Sequence, residues 1–349
     1  MADNNNKDYM EKGFNFEDDP FSSNNDEYAA LFDKINNAPK DLYDKYAELF
    51  FNVYPGALCD PEVMAKYPNN KMDIHYGPSN SQIFDIYYPE GDGPFPVIIN
   101  LHAGGFSGGS AKDFTLPPMF RAVDHGYALV SMDYRLSGEA KWPASVYDVK
   151  AGVRYLRAHA DELNIDPNMI ISWGYSAGAY LSAMLAVTKD DELFNDATLG
   201  NMDYSSRVQA AIVGSGPCGN WADEDAYLDE LSKKTGVPVL FPHNAQNSVE
   251  SWQFGLPLPV IYDLLRLVDP KVHVTPDTPP ILLFHGDEDP LVPFELAQQF
   301  YAKLKENIGD EVELIVGPGK HHCDDPWFQD EERFGLAFDF LNRQLGLNK

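Results

Sequence analysis

Cysteine is scarce: Cys59, Cys218 and Cys323 are the only three in 349 residues, far apart and without a C-x-x-C pair. An odd, scattered set excludes a disulfide framework and gives no sign of a thiolate zinc site, so reduced thiols in a cytosolic setting are expected. Positive charge is scarce too. Lys and Arg number 26 against 54 Asp and Glu, a formal net charge of −28. Such a surface repels phosphate backbones and anionic lipid, so neither nucleic acid nor a membrane is an expected partner. No apolar run reaches bilayer-spanning length, and Met1 to Asn6 lack the basic start and apolar stretch of a secretion signal. A cytoplasmic location is the expectation, or a secreted one if a signal has been removed.

What is present is apolar material for a large core, 44% of residues, in a chain long for one ordinary domain. Residues 1–26 are rich in Asn, Asp and Ser and read as a mobile acidic tail. Residues 27–70 place apolar side chains at three- and four-residue spacing, as in Leu42, Tyr43, Tyr46, Leu49 and Phe50, which predicts a helical amino-terminal extension. From residue 71 the period changes. Alternating segments at 72–76 and 83–88 flank Gly77-Pro78-Ser79-Asn80 and predict a hairpin.

Short β-branched runs at 96–102, 128–134, 170–174, 210–214, 281–285 and 312–316 then alternate with helical patterns at 146–163, from 176, at 294–307 and at 327–345. Buried strands alternating with helices predict an α/β domain over 71–349, with a mostly parallel sheet covered on both faces. Residues 217–278 break the rhythm. They are too long for a simple connection, carry Trp221, Phe241, Trp252 and Phe254 and an apolar helix pattern at 260–268, and read as a cap insertion. The acidic run from Asp223 to Glu230 reads as a solvated helical face.

Within this plan, Ile170-Ile171-Ser172-Trp173-Gly174-Tyr175-Ser176-Ala177-Gly178 runs from a strand through G-x-S-x-G into a small-residue helix. That is the strand, tight turn and helix of a nucleophile elbow, with Ser176 at its tip. The five-residue pattern is weak alone, but serine chemistry also needs a base, a carboxylate to orient it and oxyanion donors. Each has a candidate just past a predicted strand, at the sheet edge where ligands bind in open α/β folds. The donors are backbone N–H groups of Gly104 and Gly105 in His102-Ala103-Gly104-Gly105-Phe106, with Ala177 N–H. No G-x-G-x-x-G or Walker lysine favours a phosphate loop instead. The carboxylate lies in His285-Gly286-Asp287-Glu288-Asp289-Pro290, with Asp289 favoured and Asp287 the fallback. The base lies in Gly319-Lys320-His321-His322, where either histidine completes the order Ser, Asp, His. A metal site built on these histidines with Asp324 and Asp325 is the weaker alternative, and no metal or cofactor is needed by the chemistry.

With these residues in hand, the chain over 83–345 resembles the α/β-hydrolase superfamily, in particular the esterase branch of hormone-sensitive-lipase-like and bacterial feruloyl and acetyl-xylan esterases. His102-Ala103-Gly104-Gly105-Phe106 resembles that family's glycine loop, with Ala103 in place of its first glycine; Asp133-Tyr134-Arg135-Leu136 resembles its D-Y-R-L strand end, and Trp142-Pro143-Ala144 with Asp148 the following helix. The resemblance implies a triad of Ser176, Asp289 and His321, the last from its spacing to Gly319, and an oxyanion hole of Gly104, Gly105 and Ala177. It implies a serine carboxylic ester hydrolase working without a cofactor on acetyl or feruloyl esters of plant carbohydrate or other short acyl esters. A serine peptidase of related fold is disfavoured by the lack of an amino-terminal propeller, and a non-catalytic binding protein by the complete triad.

Overall fold

The computed structural model describes residues 58–236, 239, 242–245, 248–322 and 330–346. The expected tail and most of the expected amino-terminal extension therefore lie outside the described residues; of the latter, 58–70 hold a single helical turn at Pro61–Met64. Among the described residues, eight strands form one sheet: β1 (Asn70–His75), β2 (Ile83–Tyr87), β3 (Phe95–Leu101), β4 (Ala128–Met132), β5 (Ile165–Tyr175), β6 (Ala210–Gly214), β7 (Ile281–Gly286) and β8 (Val312–Gly317). Their spatial order is β1-β2-β4-β3-β5-β6-β7-β8. The hairpin β1–β2 pairs antiparallel and β2 meets β4 antiparallel, whereas β4, β3, β5, β6, β7 and β8 are parallel throughout. This is the α/β-hydrolase fold.

The strands are apolar on both faces because both are covered. Successive residues of β3 point to opposite sides, so Ile99 and Leu101 join one core with Val130, Met184 and Phe300 while Ile98 joins the other with Leu129, Trp173 and Phe338. The first face is packed by α1 (Ala144–Ala158), α2 (Ala177–Thr188) and α6 (Phe294–Ile308), the second by α7 (Glu331–Leu345) and the turns at Leu116–Met119 and Arg121–Asp124. Trp173 shows the scale of this packing: it is 1% exposed and stacks on Phe334 with ring centroids 4.9 Å apart. Truncation to alanine there should cost about 3–5 kcal/mol.

One element differs from the sequence reading. The helix expected over 146–163 stops at Ala158, and a separate turn at Ala160–Leu163 ends on Asn164, whose φ of 51° and side-chain hydrogen bond to Asp92 O close the run. The last helix starts at Glu331, capped by the Asp330 side chain accepting from Glu332 N–H, and residues 327–329 of the expected run lie outside the described residues. Between β6 and β7 lie α3 (Glu224–Thr235), α4 (Val249–Phe254) and α5 (Tyr262–Val268). No helix among the described residues is long and apolar enough to cross a membrane.

Candidate active site

Ser176 sits between β5 and α2 with φ 53° and ψ −120°, a left-handed conformation that costs a non-glycine residue on the order of 1–3 kcal/mol. Its neighbours must be glycine for steric reasons. A Cβ on Gly178 would lie 1.9 Å from Leu101 O, and one on Gly174 would lie 2.2 Å from Gly178 O. The turn is pinned across the sheet edge by Ser176 N–H donating to Gly214 O at 2.8 Å.

The serine hydroxyl meets one imidazole. His322 Nε2 lies 2.9 Å from Ser176 Oγ, and His322 Nδ1 lies 2.8 Å from Asp289 Oδ2. A carboxylate oxygen only accepts, so Nδ1 carries the proton toward Asp289 and Nε2 is left to accept from the serine. This corrects the expectation of His321: the histidine in reach of Ser176 is the next one along. The reason is the clasp between two loops. Glu288 N–H donates to Lys320 O at 3.1 Å, Asp287 Oδ1 accepts from Gly319 N–H at 2.6 Å, and a Cβ on Gly286 would touch Lys320 O at 2.2 Å. With the backbone held at 319–320, the turn that follows presents His322 to the serine, while His321 is buried beside it. Of the alternative metal site, Asp324 and Asp325 lie outside the described residues.

Asp289 stands where expected, and the fallback, Asp287, is the loop tie just described. Asp289 is fully buried, with Oδ1 accepting from Leu291 N–H at 2.9 Å and Val292 N–H at 2.8 Å. Its Oδ2 faces His322 and also His285, whose Nε2 lies 3.3 Å away and donates to Val292 O at 2.9 Å. Burial alone would raise the Asp289 carboxyl, but the His322 charge and the hydrogen bonds from both histidines outweigh it and hold the group below the usual carboxylate range. His285 had no role in the sequence reading. Its only signal was its place four residues before Asp289.

The expected oxyanion donors lie on the loop that follows β3 and at the first position of α2, the helix that Ser176 opens. Gly104 and Gly105 have φ of 118° and 56°, and among the described residues neither N–H donates a hydrogen bond. Ala177 N–H is the first of its helix and has no intrahelical acceptor. The loop is braced from beneath: Tyr134 stacks on the His102 ring at 4.2 Å and its hydroxyl donates to His102 O at 2.9 Å, while Asp133 Oδ1 accepts from Ala111 N–H at 2.6 Å. Arg135 and Asp148 form an ion pair at 2.7 Å, and Arg135 N–H donates to Asp148 Oδ2 at 2.9 Å, which ties the segment after β4 to α1. Phe106, also at positive φ, packs on Tyr180 and Trp221, and Trp221 packs on Phe254, so the 217–278 segment reaches the loop through rings buried against one another.

Comparison with known proteins agrees with the fold. The family model described as BD-FAE matches residues 84–304, more than half of the chain. Among curated proteins, the chain is 28% identical over 277 residues to the probable carboxylic ester hydrolase LipM of Mycobacterium tuberculosis, covering 78% of this chain and 60% of that protein. It is 26% identical over 264 residues to the esterase LipQ of the same organism, covering 74% and 58%. The chain thus spans about three-fifths of the length of these relatives. Among solved structures, a truncated carbohydrate esterase from gut microbiota is 25% identical with a TM-score of 0.68, over 83% of this chain and all of that one. A propionate-bound thermophilic esterase from Thermogutta terrifontis is 23% identical with a TM-score of 0.62, over 81% and 97%, a likeness of fold.

Proposed function

The chain belongs to the BD-FAE family of the α/β-hydrolase superfamily, and from that premise we propose that it is a serine carboxylic ester hydrolase acting through a covalent acyl-enzyme. The observation that carries the reading is the relay from Ser176 Oγ to His322 Nε2 at 2.9 Å and from His322 Nδ1 to Asp289 at 2.8 Å. In this reading His322 takes the serine proton as Oγ attacks the ester carbonyl, and Asp289 holds the imidazole in the required tautomer. The N–H groups of Gly104, Gly105 and Ala177 hold the tetrahedral oxyanion, where each donor contributes roughly a hundred- to a thousandfold in turnover. The imidazolium then gives its proton to the leaving alcohol, and water repeats the sequence on the acyl-serine.

For substrate we propose short acyl esters, with acetyl or feruloyl groups on plant carbohydrate as the leading class. The likeness to a carbohydrate esterase from gut microbiota supports this. We read 217–278 as a cap whose Trp221 and Phe254 serve packing, which leaves sugar stacking to other residues. The test is burst release of p-nitrophenol from p-nitrophenyl acetate, expected for the unaltered chain and absent in Ser176→Ala. Acetylated xylan, methyl ferulate and acetyl, butyryl and octanoyl esters run beside it define the acyl and alcohol preference. A full burst in Ser176→Ala overturns the mechanism, and octanoate as the fastest substrate overturns the short-acyl reading.

A further inference from the structure

Away from Ser176, three side chains of the 217–278 segment meet in its interior: Glu224 at the start of α3, His243 on the following loop and Glu250 in the first turn of α4. One donor atom from each lies within 4.8 Å of the others. Glu224 was expected on a solvated face. It is instead 1% exposed, and His243 is 3% exposed.

Hydrogen bonding leaves this cluster incomplete. His243 Nδ1 lies 2.9 Å from Glu250 Oε1 and 3.2 Å from Glu224 Oε2, so both carboxylates converge on one nitrogen that can offer a single proton. Among the described residues, Glu224 Oε2, although aimed at that nitrogen, makes no hydrogen bond, and neither does the second oxygen of Glu250 or His243 Nε2, all three buried. Two buried carboxylates with a neutral imidazole carry two negative charges, and even an imidazolium would leave one uncompensated, an expensive arrangement in a protein interior.

We infer that Glu224, His243 and Glu250 bind a divalent transition-metal ion of the zinc type. Donors about 2.1 Å from one ion at angles of about 90–110° stand roughly 3.0–3.4 Å apart, close to the 2.9 and 3.2 Å seen here. Two carboxylates and a neutral imidazole balance a doubly charged cation, and the mixed O and N donors suit zinc better than calcium or magnesium. Asp225 holds the ligand loop from the other side, its two oxygens accepting from His243 N–H at 2.6 Å and Asn244 N–H at 3.0 Å. The ion has a structural task. It ties α3, the His243 loop and α4 together where α4 meets the catalytic domain through Trp142 N–H donating to Gln253 O at 2.8 Å, and where Trp221 packs on Phe106, the residue after Gly105.

The test uses the full chain and reads metal, not turnover, so it stands or falls independently of the esterase reading. Protein from zinc-supplemented culture, dialysed against metal-free buffer, is expected to retain about one zinc per chain by elemental analysis. Stripping with a chelator should lower the thermal midpoint, and readded zinc well above its Kd should restore it by about 3–6 °C. In Glu250→Gln and His243→Gln the zinc and the zinc-dependent shift should both disappear; if either variant fails to fold, the stripped unaltered chain carries the result. No retained zinc together with identical midpoints in zinc, manganese, calcium and chelator overturns the proposal and leaves an ion-paired triad only. Full zinc retention in folded His243→Gln also overturns it, and so does stabilisation by calcium with zinc inert.

Discussion

Asp289 and Glu224 are both buried carboxylates facing a histidine, yet their surroundings treat them in opposite ways. Asp289 receives two backbone N–H groups and the His322 imidazole, with His285 Nε2 a further 3.3 Å contact, and is held below its ordinary range. Glu224 has an imidazole shared with Glu250 and, among the described residues, an oxygen with no donor, and burial drives it upward. Burial alone therefore does not decide the charge of a carboxylate; the number of donors brought with it does. A satisfied carboxylate can orient a base without being displaced from it. An unsatisfied pair calls for a counter-charge, which is why the first cluster reads as catalytic and the second as a cation site.

The comparison breaks or sharpens in several experiments. The largest effect is expected at the base: His322→Gln should lower kcat by at least about 10⁴-fold, whereas His321→Gln should change it by less than about tenfold. The reverse outcome in a steady-state ester assay would return the role to His321. Next comes Asp289→Asn, which keeps the shape but favours the wrong tautomer of His322 and should reduce kcat by about 10⁴-fold. Gly104→Ala places a Cβ 2.2 Å from Gly108 O at a φ of 118°, so the oxyanion loop must shift and kcat should fall by about 10²–10³-fold with a smaller change in KM.

Acid titration tests the charge argument directly. The folded-state Asp289 is depressed below its ordinary value of 3.8, so its ionised form contributes stability that is present above about pH 4 and lost as the pH falls further. The urea midpoint of Asp289→Asn should lie below that of the unaltered chain at neutral pH, and the gap should narrow below pH 4. A constant gap would mean that the partners do not hold the carboxylate ionised. The smallest effect is expected for Asp287→Ala, which removes one hydrogen bond to Gly319 N–H at the edge of the site and should alter kcat by no more than a few-fold.

Much of the fold was readable in advance because its signals are local. The β-branched runs became β3 to β8, and the turn at 77–80 became the β1–β2 hairpin. G-x-S-x-G was readable for the same reason: a Cβ at Gly174 or Gly178 would come within 2.2 or 1.9 Å of a backbone oxygen, so the constraint is written into the residues themselves. Asp289 was readable from its place just past β7. His321 was chosen over His322 on a spacing from Gly319, and failed because the clasp of Lys320 by Glu288 comes from another loop.

The chain's order of strands, helices and glycine turns thus determined by itself the α/β architecture and the edge of the sheet where a serine, a carboxylate and a histidine would gather. Only the tertiary structure decided which imidazole meets the serine, that His285 supports Asp289, and that Glu224 turns inward to His243 and Glu250. Periodicity along a segment reports whether a face is buried, because that depends on neighbours a few residues away. Which polar groups share an interior depends on contacts across long stretches of chain, such as the 146 positions between Ser176 and His322.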